Sequence, residues 1–393
     1  MTTVALIHGQ CKTRLWGLDS ETRIQRQLKT AGVGLVSSVE AAESAERVLV
    51  LNANYLFELL TVEGMCGKDD CALLDGEGGL AAINCRGSQV SQAAAAMTDD
   101  LEMPEGLQQI STAALAGYNR RLRKTQAPLL EHIDEAEREA LESLLYGNAY
   151  KGITDLVTKW WWPRPARVIT GWCARVGITP NQVTLTGFAL VIAAYYLFAN
   201  GFYVAGLCCG WVMTLLDTVD GKLARVTVNS SKIGHLLDHG LDLIHPPFWY
   251  VAWGASLVGS GGLWGFSTID GCWLVALGYI GGRLIEILFH TLGACGMFAW
   301  RPFDAWFRLI TARRNPCLII LTLALLVDSP AMAFWGVVGW TVISTAITTL
   351  RLIYAAGYRV IHGPLDSWLK QADAAARFPR TYAEFSGTRG AFR

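Results

Sequence analysis

The sequence predicts an α-helical polytopic membrane domain, with six transmembrane helices and a juxtamembrane amphipathic helix, behind an N-terminal cytoplasmic α/β domain. Three observations carry this. The chain of 393 residues is 52% hydrophobic with zero formal net charge, yet its polarity is divided unevenly. From about residue 182 onward long apolar runs dominate, whereas before about residue 150 charges are frequent and no run could span a bilayer. Within residues 1–145, short strand-like runs alternate with helical ones: VALIHG, TRIQRQLKTAGV, VLVLNANYLF.

The elements follow in order. Residues 1–145 form the α/β domain, and the acidic stretch APLLEHIDEAEREALESLLYGNAYKG leads from it toward the membrane. Residues 146–180 are linker and juxtamembrane helix. There Trp160, Trp161, Trp162 and Trp172 alternate with Lys159, Arg164, Arg167 and Arg175, a pattern that suits a helix at headgroup level. Packing of these tryptophans against the soluble domain is the alternative. Thr179-Pro180-Asn181 stops that helix and caps the first span.

The membrane domain covers 181–358, with expected spans near 182–199, 202–218, 236–258, 271–294, 316–332 and 334–355, each close to the ~20 residues that a bilayer core requires. A cytoplasmic tail, 359–393, follows. The links near Asn200–Gly201, 259–270 and Asp328–Pro330 lack Lys and Arg, whereas the opposite links carry Lys222, Arg225, Lys232, Arg301, Arg308, Arg313 and Arg314. The positive-inside bias therefore puts both termini and the second link at the cytoplasmic face. MTTVALIHGQ lacks the basic leader and long apolar run of a signal peptide, so the first span is expected to direct insertion. The ten cysteines form no metal-type CxxC pairs and are read as free thiols.

The chemistry concentrates in DTVDGKLARVTVNSSKIGHLLDHGLD, residues 217–242. Carboxylates at the edge of hydrocarbon are costly unless paired, solvated or bound to a cation, so four within this segment need a functional explanation. Asp217 and Asp220 lie three apart and Asp238 and Asp242 four apart, so each pair shares a helix face. Two facing pairs make a cage of hard oxygen ligands suited to Mg²⁺ or Mn²⁺. Gly221 and Gly234 permit close approach of a backbone or ligand, and Arg225 offers a fork for phosphate oxygens. A transporter with intramembrane acids is the competing reading, but it leaves the glycines and the arginine unexplained. His235, His239 and His245 lie nearby; the carboxylates already complete a hard-ligand set, so a structural role is expected for them.

Asp217, Asp220, Gly221, Ala224, Arg225, Gly234, Asp238 and Asp242 match the signature DxxDGxxAR(x8)GxxxDxxxD, and the segment resembles the membrane-embedded CDP-alcohol phosphotransferases. The resemblance implies that Asp217, Asp220 and Asp238 hold two Mg²⁺ or Mn²⁺ ions. It implies that Asp242 contributes to that site as general base, and that Gly221, Ala224 and Arg225 face the CDP moiety together with Gly234. Asn181, in a Pro-Asn-x-x-Thr stretch with Pro180 and Thr184, is similarly placed beside the nucleotide pocket by the resemblance. The reaction expected is attack of an acceptor hydroxyl on a CDP-alcohol with release of CMP, in phospholipid or polar phosphodiester synthesis. A homodimer in a bacterial inner membrane is implied as well. No nucleic-acid partner is expected.

A phosphoryl transfer of this kind needs its charge neutralised and its oxygens held in line, which a pair of divalent ions can do. For Asp242, withdrawal from water raises a carboxylate pKa toward that of a useful base while adjacent cations lower it. On the acceptor side, Arg283 lies inside a span with Glu286 at i+3, and Arg308, Arg313 and Arg314 lie in the following link. If these bind substrate, the acceptor carries phosphate, as a phosphorylated polyol or a lipid phosphate.

The opening LIHGQCKTRLWGLDSETRIQRQLKTAGV resembles a worn sugar-phosphate nucleotidyltransferase start, with Gly9, Arg14 and Leu15 in place. The loop is glycine-poor, no Pro-Lys pair follows, and Asn52 and Asn54 stand where an acidic metal ligand is expected. The resemblance is to the fused di-myo-inositol phosphate phosphate synthases. It implies an inactive structural or regulatory domain, with a working cytidylyltransferase as the alternative.

Overall fold

The structure is a computed structural model that describes residues 3–98, 102–126, 128–229 and 232–387; of 126, 232–239, 241 and 242 only the backbone course is described. The chain clusters into two compact units. The first comprises residues up to 119, 125–150 and 224–229, and the second 120–124, 151–223 and 230 onward.

The first unit is built on strands β1 (Thr3–His8), β2 (Gly34–Val36), β3 (Arg47–Asn52), β4 (Tyr55–Phe57), β5 (Cys71–Leu74), β6 (Leu80–Arg86), β7 (Gln108–Ile110), β8 (Gly117–Asn119), β9 (Lys124–Gln126) and β10 (Leu130–His132). Six of them form one mixed sheet in the order β2-β1-β3-β6-β5-β7, while β4 pairs with β10 and β8 with β9. β3 runs parallel to β1 and antiparallel to β6. Its RVLVLN sequence is apolar on both faces because both are covered. Leu49 and Leu51 face helices α1 (Ser20–Ala31) and α3 (Leu59–Cys66). Val48 and Val50 face α2 (Val39–Glu43) and α4 (Val90–Ala96). The expected α/β domain is therefore a sheet between two helical layers. Arg23 of α1 is buried, and its guanidinium donates to the Leu15 carbonyl at 2.9 Å and the Val226 carbonyl at 2.7 Å. The unit closes with α5 (Arg138–Asn148).

In the second unit, a short helical turn at Val157–Trp161 leads into α6 (Pro163–Val176), which ends at Gly177 with φ of 81°. Trp160, Trp161 and Trp172 are exposed, whereas Trp162 is half-buried against Trp211. Then come α7 (Pro180–Ala199), α8 (Tyr203–Val226), α9 (Lys232–Ala255), α10 (Thr268–Phe289), α11 (Pro302–Ile310), α12 (Arg314–Leu325) and α13 (Pro330–His362). The tail carries α14 (Ala374–Arg377) and α15 (Pro379–Phe385). Thr179 and Gln182 form a capping box around Pro180, which fixes where α7 begins. α7 and α8 close on each other near the turn at Gly201; a Cβ at Gly206 would lie 2.4 Å from Phe198 Cε1.

Among the described residues four helices are long and apolar enough to cross a membrane: α7, α8, α10 continued to Leu292, and α13. α9 occupies the expected third span and runs unbroken through Pro246 and Pro247. The fifth expected span, 316–332, is met by α12, a helix of only 12 residues that ends at Leu325. The chain turns at Asp328, whose φ is 52°, and Ser329 caps a helix that starts at Pro330 instead of residue 334 and continues to His362. An indole pair anchors this core: Trp249 Nε1 donates to the Val191 carbonyl and Trp253 Nε1 to the Pro330 carbonyl, each at 2.9 Å.

Candidate active site

The aspartate motif starts on α8, where i to i+3 spacing places Asp217 and Asp220 on one face. α6, α7 and α8 meet through Ala166, Cys173, Val183, Val219 and Leu223, all buried. That packing brings the first turn of α7 against the motif. Thr184 Oγ1 donates to Asp220 Oδ2 at 2.6 Å, and Asp220 is 5% exposed. Asp217 lies in an ion pair with Arg314 at the start of α12, at 2.5 Å. Gly221 and Ala224 follow half-buried along α8, and Arg225 is exposed at its end. Asn181 is exposed on the first turn of α7, one turn before Thr184.

Asp238 and Asp242 lie one helical turn apart on α9. Their side chains, with Gly234, His235 and His239, lie outside the described residues. Among the described residues no three His, Cys, Asp or Glu side chains gather as a metal site, since two of the four expected ligands fall outside them. The donor set nevertheless fits a hard divalent cation. Asp220 offers buried carboxylate oxygen already held by a neutral donor, and the cation that Asp217 attracts here is a guanidinium. His245 is buried against Trp249, with ring centroids 4.7 Å apart.

A second polar group of the same unit involves α10, α11 and the start of α12. Glu286 pairs with Arg283 at 2.7 Å, the i+3 pair expected from the sequence, and also with Arg313. Arg308 is 8% exposed and packs on Phe298 at 5.7 Å, beside Arg313 on the same ring at 5.4 Å. Burial, and then the Arg313 charge, push the Arg308 guanidinium well below its ordinary value. A guanidinium does not give up its proton, so the shift expresses the cost of burying its charge beside a second one. Consistently, Arg308 Nε and Nη1, Arg283 Nε and Arg313 Nε are buried with no hydrogen-bond partner among the described residues. A narrow, shallow cleft lies beside Arg283 and Glu286, lined by hydroxyls that include Thr341, Ser344 and Thr345.

The four arginines proposed from the sequence thus divide. Arg283, Arg308 and Arg313 gather around Glu286, whereas Arg314 sits on Asp217. Two partners were not singled out from the sequence. Asp155 accepts from Asn315 Nδ2 at 2.8 Å and from the Thr158 amide and hydroxyl. No local signal distinguishes that aspartate from any other linker acid.

Residues 177–372 match the family of CDP-alcohol phosphatidyltransferases. The chain belongs, through these residues, to the CDP-alcohol phosphatidyltransferase family. The match begins at the end of α6 and runs through α13 into the tail, so all ten strands of the first unit's sheets lie outside it. Similar proteins include the archaetidylinositol phosphate synthase of Pyrococcus horikoshii, 41% identical over 70 residues, which are 18% of this chain and 37% of that protein. The phosphatidylinositol phosphate synthase of Mycobacterium tuberculosis is 41% identical over 71 residues, 18% of this chain and 33% of its own. Cholinephosphotransferase 1 of Gallus gallus is 29% identical over 127 residues, covering 30% and 36%. The chain spans about a third of the length of the curated relatives it matches.

Proposed function

We infer that this protein transfers a phospho-alcohol from a CDP-alcohol to an acceptor hydroxyl and releases CMP, in the synthesis of phospholipids or related phosphodiesters. The observation that carries the reading is the complete eight-residue motif of the family, with Asp220 buried on α8 and held by Thr184. Asp217, Asp220, Asp238 and Asp242 would hold two Mg²⁺ or Mn²⁺ ions. When bound, these neutralise charge on the CDP phosphates and on the transferring group. Asp242 would accept the proton of the attacking hydroxyl. Asn181, Gly221, Ala224, Arg225 and Gly234 would line the nucleotide, where missing or small side chains let the backbone come close.

The acceptor would carry a phosphate. Among the described residues, Arg283, Arg308 and Arg313 carry buried guanidinium nitrogens without a hydrogen-bond partner, which suits a phosphate monoester. The names of two relatives, both inositol phosphate lipid synthases, support a phosphorylated polyol. Arg314 would leave Asp217 for a substrate phosphate when metal binds there. The expected setting is six spans in a bacterial inner membrane, termini and motif on the cytoplasmic side, as a homodimer. An inactive N-terminal domain accords with Asn52: its Oδ1 accepts from the Asn54 amide at 3.0 Å and its Nδ2 donates to the Leu80 carbonyl, so it works as a turn former.

CMP release by the full chain with Mn²⁺ or Mg²⁺, across a panel of CDP donors and of phosphorylated and unphosphorylated alcohols, tests the reading. Metal-dependent release, absent in Asp242→Asn, is expected. No release and no CDP binding would return the assignment to a transporter with intramembrane acids.

A further inference from the structure

Helix α8 stops by a route that its own sequence disfavours. The Asn229 amide donates to the Ala224 carbonyl at 2.9 Å and the Val228 amide to the Arg225 carbonyl at 3.3 Å, the nested pair of bonds that closes a Schellman stop. That stop needs a left-handed residue, ordinarily glycine, and here Val228 takes the position with φ of 46°. A β-branched side chain is poorly tolerated there, so the turn persists only because its surroundings hold it.

The holding groups come from α1. A Schellman stop does not use the carbonyls of Val226 and Thr227. Arg23 Nη1 donates to the Val226 carbonyl and Arg26 Nη1 to the Thr227 carbonyl, each at 2.7 Å. The two arginines lie one turn apart on the same face of α1, and their charge suits the negative end of a helix dipole. α1 is itself fixed. Asp19 caps its start, Gly32 closes its end, Ile24 and Leu28 sit in the core, and Gln27 Nε2 donates to the Phe57 carbonyl at 2.8 Å. Arg23 is 2% exposed, and its Nη2 reaches back to the Leu15 carbonyl at 2.9 Å. These contacts lie within the first unit, to which Ala224 and Arg225 of the motif belong together with α1.

We propose that Arg23 and Arg26 are positioning residues for donor binding: by holding the end of α8 they fix Ala224 and Arg225, which would line the nucleotide. This rests on the nucleotide-lining reading of those two residues given above. The α/β domain thereby acquires a task in the transfer reaction that needs no nucleotidyltransferase activity. Neither arginine takes part in proton transfer.

The test is binding of CDP, with Mn²⁺, to the full chain in detergent micelles, for the wild type, Arg26→Gln, Arg26→Lys, Arg225→Gln and the double variant Arg26→Gln/Val228→Gly, alongside amide hydrogen exchange. Arg26 is the better probe because it is only half-buried, so its loss spares the core. The expected result is CDP affinity about 10-fold weaker in Arg26→Gln. Arg26→Lys should recover it within a few-fold, and so should Val228→Gly in the double variant, since glycine sustains the stop without the clamp. In Arg26→Gln the Val228 and Asn229 amides should exchange faster while those of β3 keep wild-type protection. Weaker CDP binding in Arg225→Gln but not in Arg26→Gln would overturn the clamp and leave the nucleotide-lining reading standing. CDP affinity indifferent to Arg225, or no CDP binding by the wild type, would sink that reading and this one with it. Faster exchange in β3 along with lost affinity, or lost affinity that Val228→Gly fails to recover, would make Arg26 a support of the domain's own fold and end the proposal.

Discussion

Thr184 Oγ1 lies 2.6 Å from Asp220 Oδ2, which ties the first turn of α7 to the aspartate motif of α8. The same hydroxyl is within 3.1 Å of the Pro180 carbonyl, so the threonine is fixed by the helix start it belongs to. A carboxylate steered in this way presents its other oxygen in a defined direction, as the partners of metal ligands do.

Removing that hydroxyl without changing side-chain shape isolates its effect. Thr184→Val should lower metal-dependent CMP release by about 10- to 100-fold and weaken Mn²⁺ activation, with Thr184→Ser restoring most of both. Mn²⁺ titrations of initial rate check this, and wild-type activation by the valine variant would refute it.

The two aspartates of α9 are predicted to separate metal holding from proton removal. Asp238→Asn should abolish turnover and weaken CDP binding, because the nucleotide phosphates lose their bridging charge. Asp242→Asn should abolish turnover with a smaller loss of CDP affinity. CMP release and CDP binding, measured on the same preparations, decide it; residual turnover in either variant counts against the assigned role.

Arg314 neutralises Asp217, whose side chain is 23% exposed. Arg314→Gln should cost about 1–3 kcal/mol in the absence of divalent metal, less than a fully buried pair because water reaches the carboxylate. Mn²⁺ should then raise the Tm of the variant by more than it raises that of the wild type. Equal shifts in the two proteins would show that metal and guanidinium do not share Asp217.

Asp155 gives a pH signature. Burial alone would raise its pKa, but the Arg308 charge and the hydrogen bonds from Thr158 and Asn315 outweigh it and hold the carboxyl below its ordinary value. A lowered folded-state pKa means that ionised Asp155 stabilises the protein above the unfolded value near 3.9 and that this contribution is lost as pH falls through the folded value. Asp155→Asn should therefore be less stable at pH 7 and lose less stability on acidification below about pH 4. Thermal melts from pH 7 to pH 3 test this; parallel curves would place the acid sensitivity elsewhere.

Much of this molecule is legible in sequence because its signals are local. Apolar length places spans at α7, α8 and α10, since a helix in lipid must satisfy its backbone internally and show apolar side chains around its circumference. Thr179-Pro180 writes its own helix start, and the acids of the motif mark a candidate cation site by type and spacing. The junction of the fifth and sixth expected spans is not legible, because Leu326 and Val327 are as apolar as a helix interior. The stop is instead set by a turn at Asp328 and the cap at Ser329.

The sequence by itself determined the order of elements, the helix ends that carry their own caps, and the family to which residues 177–372 belong, because each depends on neighbours along the chain. Only the tertiary structure decided that Arg314 pairs with Asp217 while Arg308 and Arg313 turn to Glu286. It alone set Thr184 on Asp220, Asn315 on Asp155, and a hairpin tip from residues 120–124 within the second unit. Polar partners 36 and 160 residues apart are chosen by packing and desolvation, and neither has a periodicity that a sequence can display.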